Sequence, residues 1–128
     1  MAYSFGKTVD MSFDEAIDRT TACLKDEGFG VLAEIDIAGA MKEKLDVDIP
    51  PYRILGACNP PLAHRALTAE PNIGVLLPCN VIVRQDDTGT VHVQAMDPIA
   101  VLELVDHPDV AELATEVRTR LDRALAAI

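Results

Sequence analysis

The chain has 128 residues, with 21 acidic residues against 11 Lys plus Arg, so its formal net charge is −10. This length suits one domain over residues 1–128, and a hydrophobic fraction of 49% with 25% charged residues is typical of a folded globular protein. The acidic balance argues against nucleic-acid binding, which needs a basic surface, and against docking on anionic membranes. No apolar run approaches the ~20 residues that cross a bilayer.

The cysteine content favours a reducing environment. Cys23, Cys58 and Cys79 are an odd and small number for a disulfide scaffold. The N-terminal residues also lack the charged region and long apolar stretch of a secretory signal. We therefore expect a cytoplasmic protein, with Cys23 packed among the apolar positions of a helix.

The N-terminal third predicts a strand, a helix and a second strand. Residues 3–9 form the first strand. Ser12 and Glu15 make a capping box, and the helix that follows ends at Gly28. The alternation over 29–35 predicts a strand with four side chains on one face, namely Phe29, Val31, Ala33 and Ile35.

The central third predicts two helices on either side of a strand. Asp36 caps a short helix, an irregular zone follows at 46–51, and 52–58 forms a strand. Asn59 then caps a helix that Pro71 ends, and residues 70–73 are expected to be irregular.

The C-terminal third predicts a hairpin followed by helices. Strands at 80–85 and 90–95 flank a Gly-containing loop, 98–105 forms a short helix, and a long amphipathic helix begins at Pro108. The predicted fold is α+β: a mostly antiparallel sheet of about five strands, with two long amphipathic helices packed on one face. The other face of the sheet is then open or covered by a second subunit.

Two Cys-Asn pairs are the main candidates for a functional site. Cys58-Asn59 ends one predicted strand, and Cys79-Asn80 begins another after Pro78. If these strands are neighbours, two thiols and two carboxamides converge, and a helix N-terminus beside Cys58 can stabilise a thiolate. The alternative is that both cysteines are small buried hydrophobic residues.

Two basic residues follow the first pair. His64 and Arg65 lie in the first turns of the helix after Asn59, where they can recognise an anionic group, or they form a solvated polar face. A structural zinc site usually has close ligand pairs, which this sequence lacks, so we assign no metal ligands. Cys58, Cys79 and His64 could still meet in space to hold a soft metal or a haem iron, and the sequence leaves the cofactor unknown.

The chain resembles the domain-of-unknown-function 302 family of bacteria and archaea. The resemblance covers nearly the whole sequence and is carried by four segments, namely residues 28–36, 52–67, 74–83 and 96–98. It implies a compact cytoplasmic α+β domain that forms homodimers, but no activity. The matching motif positions are Cys58, Asn59, Pro60, His64, Cys79, Asn80 and Asp97.

Three functions follow as hypotheses. The first is a homodimeric domain that binds a small ligand, anionic or thiol-bearing, or a soft metal centre, at a site formed by Cys58, Asn59, His64, Arg65, Cys79 and Asn80. The second is a thiol-dependent enzyme or redox protein that uses Cys58 or Cys79, with His64 as base. The third is a protein-interaction module that uses the open sheet face.

Overall fold

The computed structural model describes residues 2–128 and contains five strands and five α-helices in that range. In chain order they are β1 (Ser4–Val9), α1 (Phe13–Asp26), β2 (Gly30–Asp36), α2 (Ile37–Leu45), β3 (Tyr52–Cys58), α3 (Pro60–Ala69), β4 (Cys79–Gln85), β5 (Val91–Met96), α4 (Pro98–Leu102) and α5 (Pro108–Ala126). A 3-10 helix, Pro71–Leu76, connects α3 to β4.

The five strands form one sheet in the order β1-β5-β4-β3-β2, and every neighbouring pair is antiparallel. The predicted α+β class is therefore confirmed. Because β3 and β4 are hydrogen-bonded neighbours, the end of β3 lies beside the start of β4, with Ala57 opposite Cys79. This register brings the two Cys-Asn pairs to the same end of the sheet.

The hydrophobic core lies between one face of the sheet and the long helices α1 and α5. Burial alternates along β4 and β5, as expected where one face of a sheet is covered. The largest fully buried side chains include Leu24 of α1, Val81 and Val83 of β4, Val93 of β5 and Leu121 of α5. Cys23 is buried, as predicted.

Side-chain caps begin the helices where the sequence predicted them. The Ser12 hydroxyl accepts a hydrogen bond from the Glu15 amide at 3.1 Å, and Asn59 Oδ1 accepts one from the Leu62 amide at 3.2 Å. These caps satisfy amides that have no partner within the helix, and so they fix where each helix starts.

The β4–β5 hairpin is closed by one carboxylate. Asp86 Oδ1 accepts hydrogen bonds from the Thr88 and Thr90 amides at 2.9 and 3.0 Å, and Oδ2 lies 2.7 Å from His92 Nε2. These hydrogen bonds, the one with His92 above all, hold the pKa of Asp86 well below its usual range.

Arg118 of α5 connects the edge strand β1 and the start of α4 to α5. Its Nη1 donates to Asp97 Oδ2 at 2.7 Å, and its guanidinium lies 3.7 Å from the centre of the Phe5 ring. Asp97 Oδ1 also accepts a hydrogen bond from the Ile99 amide, which caps α4. One arginine therefore holds β1, α4 and α5 together.

Two local predictions were wrong. Val31 and Ala33 do not share a face, because a bulge at Leu32 shifts the register and places Val31 opposite Ala57 but Ala33 opposite Gly56. The segment predicted as irregular after Glu70 is instead the 3-10 helix, capped by the Glu70 carboxylate at 3.0 Å from the Asn72 amide. Among the described residues, no helix is both long and apolar enough to cross a membrane.

Candidate functional site

A cavity of about 300 Å³ opens at the end of the sheet where β3 ends and β4 begins. We call it the thiol cavity because Cys58 and Cys79 both line it, together with Asn59. The other lining residues are apolar side chains and one glycine: Phe29, Leu32, Ala57, Leu62, Ala63, Ala66, Leu67, Gly74, Leu77, Pro78, Leu102, Leu113 and Val117.

Small side chains on α3 leave the room for this cavity. The helix turns back over the sheet end and presents Ala63 and Ala66 towards the cavity, where larger residues would fill the space. Leu113 and Val117 of α5 form the buried side, and the 3-10 helix contributes Gly74. Concave, largely apolar spaces of this size are typical of sites that bind small molecules.

Asn59 is the one buried side chain of the lining that carries an amide. Its Oδ1 is occupied by the Leu62 amide at the start of α3, which orients Nδ2 as a donor. Nδ2 lies under the turn after α1: a Cβ built on Gly28 would be only 2.8 Å from it. Gly28 also has a positive φ of 85°, so this turn requires glycine for two reasons.

The two cysteines differ in exposure and in chemistry. Cys79 is buried, whereas Cys58 is half-buried. Burial first, and then electrostatic interaction with Cys58, raise the pKa of the Cys79 thiol to about 11. Cys79 is therefore protonated at neutral pH and behaves there as a small apolar side chain.

Three of the six residues predicted for the site line the cavity, and three do not. Cys58, Asn59 and Cys79 are brought together. His64 and Arg65 are exposed on the solvent side of α3, where Arg65 Nη1 lies 3.9 Å from Glu116 Oε2 of α5. Asn80 is exposed and pairs with Gly56 across the strands, on the sheet face opposite Cys79.

Sequence reasoning missed the apolar residues that make up most of the site. Leu32 projects at the β2 bulge, and Leu113 and Val117 come from the far end of the chain. Only Ala63 and Ala66 left a signal, namely small residues on the inward face of a short helix. Among residues 2–128, no three His, Cys, Asp or Glu side chains are grouped as metal ligands would be.

Replacing Gly28 by alanine tests the contact with Asn59. Gly89, with φ 87° and no atom within 4 Å of the point where a Cβ would lie, is the matched control. Both substitutions force alanine into the left-handed region at about 1–2 kcal/mol. We expect G28A to lower the free energy of unfolding by about 1–3 kcal/mol more than G89A, because it also crowds Asn59. If urea denaturation shows that G28A and G89A lower the free energy of unfolding equally, the contact with Asn59 does not require glycine at position 28.

The difference between the two thiols predicts different rates of alkylation. Iodoacetamide at pH 7.5 should modify Cys79 much more slowly than Cys58, since alkylation requires a thiolate. The Cys79 rate should rise about tenfold per pH unit until the pH approaches its pKa. Peptide mapping by mass spectrometry in C58S and C79S proteins assigns each rate. A Cys79 that reacts as fast as free glutathione at neutral pH would contradict this account of its environment.

Comparison with known proteins places these features in a family. The model of a family described as "Domain of unknown function DUF302" matches residues 5–128. A crystal structure of an uncharacterized conserved protein DUF302 from Bacillus stearothermophilus is 30% identical, with a TM-score of 0.91 over 99% of this chain and 98% of that one. The search of curated proteins gave no match. The chain belongs to the DUF302 family.

Proposed function

We propose that this domain binds a small, neutral, largely apolar molecule in the thiol cavity. The observation that carries the proposal is a cavity of about 300 Å³ whose lining is apolar apart from one buried amide and two thiols. Concave apolar sites with few polar groups are typical of small-molecule binding, because the apolar walls supply affinity and the polar group fixes orientation.

The charges of the chain support a neutral ligand over an anionic one. His64 and Arg65, the cations that the sequence offered for an anion, lie outside the cavity lining. The net charge of −10 also repels anions at low ionic strength. An unpaired charge in an apolar cavity would cost several kcal/mol.

The lining of the thiol cavity offers ligands for a soft metal, but the protonation of Cys79 opposes metal binding. The cavity offers Cys58 and Cys79 as soft donors, but holding a metal there would require deprotonation of the buried Cys79. The three cysteines are free thiols, which supports the proposed cytoplasmic setting.

A thiol-dependent enzyme is the second candidate, and Cys58 is the residue that favours it. Cys58 is half-buried and is one of the residues that line the cavity, so its thiol would lie near a bound electrophile. His64, the base suggested by the sequence, is exposed and does not line the cavity. This hypothesis therefore needs another base, and slow alkylation of Cys58 at neutral pH would contradict it.

The proposed assembly is a homodimer that covers the open face of the sheet. Across this face, Ile35 pairs with Ile54 and Ile54 with Ile82, so three neighbouring strands form one apolar row. These side chains point away from the face on which Val81 and Val83 are buried against α1 and α5. Burying such a row against a second copy removes apolar surface from water. An interaction module would offer the same row to a different protein.

Binding of toluene tests the cavity directly. We expect toluene to shift the backbone amide resonances of cavity-lining residues in a saturable titration, because an apolar cavity of this kind accepts apolar probes. Ala63→Phe should fill the space and abolish these shifts. His64→Phe introduces the same side chain one position along, outside the lining, and should leave them unchanged. Unchanged spectra at saturating toluene in the wild-type protein would refute the proposed function.

Replacing Ile82 by lysine tests the assembly. Light scattering of the wild-type protein should give twice the 13.8 kDa mass of one chain, and I82K should give one. Ile99→Lys is the matched control, since Ile99 is exposed on α4, away from the sheet row, and its substitution should keep the dimer. If the wild-type protein is a monomer at every concentration measured, the homodimer is wrong. The apolar row would then remain as a surface for binding a different protein.

A further inference from the structure

The volume and the uncharged lining of the thiol cavity narrow the class of ligand. We propose that it binds an unbranched aliphatic chain of about eight to ten carbons with an uncharged head group, because 300 Å³ holds about ten heavy atoms at ~30 Å³ each. This inference rests on the proposed function, and it adds the length, the shape and the charge of the ligand.

The orientation of the aliphatic ligand in the cavity follows from which lining residues are exposed and which are buried. Leu32 is 71% exposed and Leu67 is 41% exposed, so these two side chains mark the mouth of the cavity. Leu102 of α4 and Leu113 of α5 are almost fully buried and mark its inner end. Because the inner end of the cavity is apolar, the aliphatic ligand enters with its tail towards α5 and keeps its head group near the mouth.

The mouth of the cavity is itself apolar, which favours an extended aliphatic ligand over a compact one. Leu32 and Leu67 are both exposed and both line the opening. Two large exposed apolar side chains at one opening are more than scattered surface residues require. An aliphatic ligand that is longer than the cavity therefore gains further apolar contact with Leu32 and Leu67 at the mouth.

The absence of charge around the cavity determines the head group. Among the described residues, the lining contains no Lys, Arg, His, Asp or Glu. The buried Cys79 thiol is neutral, and the Asn59 side chain is an uncharged amide. At this apolar mouth an uncharged alcohol, amide or ester head group fits, whereas a carboxylate held against the lining would lose part of its hydration without gaining a cation.

A chain-length series tests this inference. In calorimetric titrations at pH 7.5, we expect the dissociation constant to fall about fourfold per methylene from hexanol to octanol, and less steeply from octanol to decanol. Octanol should bind at least tenfold more tightly than octanoate, which carries the same tail on a charged head group.

A rim variant provides a control that does not disturb the core. Leu32→Ser should weaken binding of decanol, which reaches the mouth, and leave hexanol unchanged. Leu104→Ser changes an equally exposed leucine that does not line the cavity, and should affect neither alcohol.

The outcomes separate this inference from the proposed function. If toluene binds but affinity is independent of alcohol length, or octanoate binds as tightly as octanol, the cavity is a ligand site and the aliphatic class is wrong. If neither toluene nor any alcohol binds, both the inference and the proposed function fail.

Discussion

Asn59 is buried at the corner where β3 turns into α3, and its side-chain oxygen accepts a hydrogen bond from the Leu62 amide. This one bond fixes the start of α3, and with it the positions of the small residues that leave the cavity open. A buried amide without a partner would cost about 1–3 kcal/mol, so the corner has little freedom to rearrange. Gly28 approaches the other side of the same amide, which ties the end of α1 to the site.

Local signals in the sequence were enough to predict the elements and the fold class. The Ser12 cap, the Asn59-Pro60 helix start and the Gly-containing hairpin after Gln85 each depend on neighbours within a few residues, and the structure has all three. The bulge at Leu32 and the 3-10 helix were missed. Both depend on how one segment packs against another, which periodicity along the chain does not report.

Local sequence signals predicted only part of the candidate site. Convergence of Cys58 with Cys79 was predicted on the condition that β3 and β4 are neighbours, and they are. The alternation of a strand already implies that Asn80 faces away from Cys79. The apolar walls come from α3, α4 and α5, and their meeting is a property of the tertiary fold. Thiols that suggested reactive chemistry in the sequence therefore lie in an apolar cavity, where burial keeps Cys79 protonated.

The space between α3, α5 and the ends of β3 and β4 has an apolar lining, and we expect it to exclude ordered water and to admit small molecules. A crystal pressurised with xenon tests this claim most directly, since xenon enters apolar cavities and is seen by its anomalous scattering. We expect one strong peak enclosed by Leu113, Ala66 and Cys79. Ordered waters hydrogen-bonded across the same space, or side chains collapsed into it, would contradict the claim.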